Sequence, residues 1–144
     1  RGLGDVYKRQ VSFIPMLMDT GGNCGSQSST LIIRGIALGE IRFSDLFRVM
    51  FKEFRVSLIV GVVLALANGL RILIMYRNAG LALVIGLSLV ATVIISKLIG
   101  CLLPLFAKKL HMDPAIMASP LITTLVDTCS ILIYFNIATR IFQL

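Results

Sequence analysis

The chain has 144 residues, 57% of them hydrophobic and only 15% charged, with a mean hydropathy of +0.93. That balance excludes an ordinary water-soluble domain and fits one compact all-α membrane bundle with no second domain. A net charge of +7 does not indicate nucleic acid, because the basic residues gather at helix ends and the aromatics sit in apolar runs that offer no stacking platform.

Residues 1–10, RGLGDVYKRQ, break with the pattern that follows. They are charged, stop abruptly at an apolar run and lack the long apolar core of a signal peptide. They are expected to be a foreign or assembly-derived tail, leaving residues 11–144 as a partial transmembrane domain.

The remainder divides into four apolar passages, predicted as four transmembrane helices. The first, about 11–38, is the least hydrophobic and carries DTGGNCGSQSST at its middle. On a helix, Asp19, Asn23, Ser26, Gln27, Thr30 and Arg34 fall within about 100° of one another, so carboxylate, amides and hydroxyls share one face. Gly21 and Gly25 form GxxxG, as do Gly35 and Gly39, and that spacing permits close helix approach. The competing explanation takes these polar groups as packing glue. GGNCGSQSST lacks the GK[ST] ending and the preceding strand of a phosphate-binding loop.

Between the first two passages, EIRFSDLFRVMFKEFR places Phe43, Leu46, Phe47, Met50, Phe51 and Phe54 on one helical face. Arg42, Asp45, Arg48, Lys52, Glu53 and Arg55 fill the other. A basic amphipathic helix lying in the membrane interface is the simplest expectation, with a docking surface for a cytosolic domain as the alternative. The second passage, about 56–76, and the third, about 81–107, are long enough to span a bilayer, the third with Lys97 and Pro104 inside it.

The fourth passage, PAIMASPLITTLVDTCSILIYFNIAT, has Asp127 as its one formal charge. A carboxylate inside a spanning helix costs at least about 2.5 kcal/mol and is normally kept for a substrate or ion path. Ser119, Thr123, Asp127, Ser130 and Tyr134 fall within a sector of about 80°, an oxygen-lined stripe around that acid. Asp113-Pro114 reads as an N-cap with proline at the first helical position. If the helix starts there, Pro120 lies inside it and frees the carbonyl of Ile116 to extend the stripe. The competing explanation has Asp127 protonated, or paired with a basic residue on another helix, Lys97 being the obvious partner.

Every candidate ligand on these stripes is oxygen, which selects hard cations over zinc or copper. One carboxylate with neutral oxygens suits a hydrated divalent ion, since magnesium keeps several of its waters. One acid per chain is little for a divalent ion, which points to two copies meeting on a shared axis. Cys24, Cys101 and Cys129 are too scattered for a disulfide framework or a zinc site and are expected as buried free thiols. His111 is expected at the surface. No nucleophile–base constellation marks an enzyme.

Seven basic residues (Arg34, Arg42, Arg48, Lys52, Arg55, Lys108, Lys109) lie at one end of the passages and three (Arg71, Arg77, Arg140) at the other. The positive-inside rule therefore puts the amphipathic segment and the Lys108–Lys109 turn in the cytoplasm.

The run PMLMDTGGNCGSQSSTLIIRGIA, followed by LPLFAKKLHMDPAIMASPLITTLVDTCSILIYF, resembles the membrane domain of MgtE-type magnesium transporters. The resemblance covers nearly all of residues 11–144. It implies magnesium transport across the cell membrane by a multi-pass homodimeric pore. The four helices here would be the family's helices two to five, with the first helix and the cytosolic N-terminal and CBS domains lying outside this chain. Asp127 corresponds to the family's pore acid, Thr123 and Ser119 to pore-lining positions, and Gly21, Gly22, Asn23, Gly25 and Gln27 to the signature helix. Ser119 and Ser130 replace the Asn and Gly that some members carry. Magnesium is then cargo, held as a hydrated ion by paired Asp127 carboxylates. The alternative is a proton-coupled carrier of another divalent cation such as cobalt or manganese, in which Asp127 would titrate.

Overall fold

A computed structural model describes residues 12–77, 79–117 and 119–142, and these fold entirely into helix and short connections. The tail at residues 1–10 lies outside the described residues. Four helices follow in order: α1 Ile14–Ala37, α2 Leu46–Tyr76, α3 Ala79–Lys109 and α4 Ser119–Phe142, with 3₁₀ turns at Phe43–Asp45 and Pro114–Met117. Among the described residues, three stretches are long and apolar enough to cross a membrane: Phe43–Tyr76, Ala79–Lys109 and Pro120–Ile141. The 24 residues of α1 reach about 36 Å at 1.5 Å per residue, but its polar face keeps its mean hydropathy low.

Helix α3 is the centre of the bundle and packs against each of the other three, while α4 packs on α1 and α3. The reason is compositional. Its buried face includes Ser88, Thr92, Ser96 and Gly100 at four-residue spacing, and small residues let neighbouring backbones come close. The first GxxxG does what its spacing predicts. A Cβ on Gly21 would stand 2.7 Å from Val126 Cγ1 and 2.8 Å from Thr92 Cγ2; one on Gly25 would stand 2.8 Å from Ile122 Cγ2. A Cβ on Gly100 would run into the carbonyl oxygen of Gly25.

Gly35 and Gly39 form no second helix crossing. Helix α1 ends at Ala37, and Gly39 takes a left-handed φ of +74°. Its N–H bonds the carbonyl of Ile36 and the next N–H bonds that of Gly35, the hydrogen-bond pattern of a glycine-terminated helix. His111 closes α3 in the same way, with φ +61° and Met112 N–H on the Ala107 carbonyl at 2.8 Å. The histidine is exposed, as expected of a surface residue.

Two apolar clusters bracket the bundle. One end packs Phe13, Leu17, Ile72, Ile85, Leu89 and Tyr134; the other packs Ile32, Ile36, Cys101 and Leu105 under Phe43 and Leu46. The small and polar residues of α1 and α3 form the belt between them. Phe43 stacks edge-on against Phe106 and under the Lys109 ammonium, 4.4 Å from the ring centroid, so the basic segment and the Lys108–Lys109 turn share one end. Phe13 meets Tyr76 at the opposite end.

The segment expected as a separate interfacial helix runs without a break into α2. Its polarity is also partly inverted. Glu53, Ser57 and Gly61, at i, i+4 and i+8, are the buried stripe, while Phe47 is 83% exposed and Phe51 63%. In lipid the small and polar face turns inward for close packing and the large apolar face turns out.

Helix α4 starts later than expected. The Asp113 carboxylate accepts the Ala115 N–H at 3.0 Å, but what it caps is the 3₁₀ turn Pro114–Met117. Helix α4 begins at Ser119, so Pro120 occupies its first turn, where a missing N–H costs nothing. No carbonyl is freed inside the helix, and the expected extension of the oxygen stripe through Ile116 does not occur.

Candidate functional site: a cleft between α1 and α4

The two stripes predicted on separate helices meet. Met18, Asp19, Gly22, Asn23 and Ser26 of α1 face Thr123 and Asp127 of α4 across an open cleft of about 250 Å³. Close approach of the helices makes this possible. With Gly21 and Gly25 seated against Val126 and Ile122, the next residue round α1, Gly22, lies opposite Thr123, where a Cβ would find it at an ordinary 3.5 Å. The three signature glycines therefore divide into two contact residues and one that forms the cleft floor.

The cleft is bordered by two carboxylates from a single chain, Asp19 and Asp127. Neither enters an ion pair among the described residues; those found are Arg48–Asp45 and Lys97–Glu53. All the lining side chains except Met18 and Gly22 offer oxygen or amide groups. The arrangement can hold a hydrated cation. No group of three His, Cys, Asp or Glu side chains converges among the described residues.

The other predicted site residues fall elsewhere. Gln27 shares the α1 face and is exposed, one turn beyond the cleft lining. Ser130 is buried at 1% exposure, its hydroxyl 3.0 Å from where a Gly21 Cβ would be, so it faces the bundle interior. Tyr134 is a core residue. The stripe calculated on α4 thus straddles the α1 contact, with Thr123 and Asp127 on the open side. Ser119 opens α4, and its side chain lies outside the described residues. Pro114 and Pro120 shape the turn and helix start, away from the cleft lining. Cys24 and Cys101 are buried free thiols, whereas Cys129 is only half-buried.

Two features were not foreseen. Met18 lines the cleft, and nothing in its spacing marks it. Glu53, assigned to the solvated face, is buried: the Ser28 hydroxyl donates to its Oε2 at 2.9 Å, and Lys97 Nζ lies 3.9 Å from the same oxygen. The i, i+4 run Glu53–Ser57–Gly61 was the readable signal. Lys97 consequently pairs with Glu53 and not with Asp127.

A family model described as a divalent cation transporter, MgtE, matches residues 14–137. The magnesium transporter MgtE of Bacillus subtilis is 42% identical over 94% of this chain, which spans 31% of that relative's length. The magnesium transporter MgtE of Thermus thermophilus is 38% identical over 91% of the chain and 29% of its own length. The chain thus spans about three tenths of the relatives it matches. With three helices among the described residues able to span a membrane and a family match across most of its length, this multi-pass membrane protein belongs to the MgtE family of divalent cation transporters.

Proposed function

We propose that the α1–α4 cleft is one wall of a path for hydrated magnesium, with Asp127 as the principal cation-attracting group and Asp19, Asn23, Ser26 and Thr123 as its hydrogen-bonding partners. The observation that carries this reading is the meeting of Asp19 and Asp127 in one open, oxygen-rich cleft. Magnesium keeps an octahedral water shell wherever it can. The cleft is open to solvent, so an ion seated in it can keep that shell. The carboxylates then act through bound water, so the cation need not be dehydrated to pass. The relatives' names as magnesium transporters favour this ion over cobalt or manganese.

A second copy of the chain supplies the other wall. Asp19, Asn23, Gln27, Thr30 and Arg34 are all exposed along one face of α1. In a membrane protein such a face belongs against water or protein and not against lipid. A two-fold axis beside α1 and α4 would cover it and bring two clefts together. On this reading α1 is a fourth spanning helix despite its low hydropathy, because its polar face lines a wet path. The test is growth of a magnesium-auxotrophic host carrying the full-length protein. Asp127→Asn should abolish rescue at low magnesium, and rescue equal to the parent would overturn the reading.

A further inference from the structure

Glu53, Lys97 and Ser28 each come from a different helix and converge on one carboxylate oxygen in the belt of the bundle. Ser28 Oγ is 2.9 Å from Glu53 Oε2 and Lys97 Nζ is 3.9 Å from it. The side chains of Lys97 and Glu53 are 7% and 10% exposed. Charge-assisted N–H···O bonds close to about 2.7–2.9 Å, so this pair is held electrostatically, with room to tighten or part. The buried residues on the same helices are small, with Ser57 on α2 and Ser96 and Gly100 on α3, and the Cys101 thiol contacts Ser28.

What the pair does require is a particular placement of α1. Ser28 projects from the side of α1 opposite Asn23, about 140° away at 100° per residue. At the same level α1 lies close on α3, where a Cβ on Gly100 would meet the Gly25 carbonyl and the Ser28 Cβ, so a change in the charges behind α1 is felt at its backbone. Tightly packed helices move as units between discrete arrangements.

We propose that Glu53, Lys97 and Ser28 are positioning residues: a charge latch behind α1 that sets how far its polar face stands over Asp127, and so which hydrated divalent cation the cleft accepts. The final clause rests on the ion-path reading; the geometric part does not.

Two measurements separate these parts. In the full-length protein, with its accessible native cysteines replaced and the fully buried Cys101 kept, Asn23→Cys and Thr123→Cys report cleft width by the rate of crosslinking with a short bifunctional maleimide. Uptake of magnesium relative to manganese is measured without the reporter cysteines. The neutral double variant Glu53→Gln/Lys97→Met leaves no unpaired charge and should insert like the parent. It should nevertheless change the crosslinking rate and the magnesium-to-manganese ratio by at least about threefold. The exchange Glu53→Lys/Lys97→Glu, which restores opposite charges, should return both toward the parent. Glu53→Asp keeps the charge, shortens the arm and should shift the crosslinking rate even if the neutral pair fails to insert. A parental crosslinking rate in Glu53→Asp, or in the neutral double variant, overturns the latch. A shifted rate with unchanged ion preference overturns its link to ion choice, whereas parental uptake by Asp127→Asn overturns the ion path alone.

Discussion

Lys97 Nζ lies 3.9 Å from Glu53 Oε2, and the same oxygen accepts the Ser28 hydroxyl at 2.9 Å. The basic residue that could have neutralised Asp127 is therefore engaged on the other side of α1. Removing one member of such a pair leaves a buried charge uncompensated, at about 3–5 kcal/mol. Lys97→Met alone should lower the yield of folded protein in detergent and its thermal midpoint, and adding Glu53→Gln should restore most of the loss. Equal midpoints for Lys97→Met and the parent would show that the pair contributes nothing to stability.

The signature glycines should separate by substitution. Gly21→Ala drives a methyl to 2.7 Å from Val126 and 2.8 Å from Thr92, and overpacking of that kind costs about 1–3 kcal/mol. Gly22→Ala meets Thr123 at 3.5 Å, so it should leave the thermal midpoint near the parent while narrowing the cleft and slowing uptake. Equal destabilisation by the two would contradict the division between contact and floor.

Much of this was legible in the residues. Helical spacing alone groups Asp19, Asn23 and Ser26, and likewise Thr123 and Asp127, because period 3.6 fixes which side chains share a face. What spacing could not give was the join. An oxygen stripe about 80° wide on α4 turned out to cross the α1 contact, which buried Ser130 and Tyr134 and left Asp127 in the open. Glu53 departs from its sequence pattern for a different reason. Soluble amphipathicity puts charge outward, whereas in lipid the small residues Ser57 and Gly61 turn inward and carry Glu53 with them. The late start of α4 hinged on whether Asp113 capped a long helix or a single 3₁₀ turn, and the two share one local signature.

The topology is open to direct test. Phe47 and Arg77 are both exposed and lie at opposite ends of the span Phe43–Tyr76. With seven basic residues at the Phe47 end against three at the other, Phe47→Cys should be shielded from an impermeant maleimide applied outside and Arg77→Cys should react. The reverse pattern would invert the orientation.

Dimerisation through the polar face of α1 predicts where crosslinks form. Gln27→Cys and Thr30→Cys, both exposed, should link two full-length subunits under mild oxidation. Ser130→Cys, at a position 1% exposed in the bundle interior, should not. Crosslinking at Ser130 with none at Gln27 or Thr30 would place the two-fold axis elsewhere.

On the proposed function, the charge of Asp127 draws the cation into the α1–α4 cleft. Magnesium flux into proteoliposomes containing the full-length protein tests it most directly, with Asp127→Asn removing the charge at almost unchanged size. Flux should be lost with subunit association and thermal midpoint near the parent, since Asp127 makes no ion pair among the described residues that folding would lose. Flux through Asp127→Asn at the parental rate would contradict it.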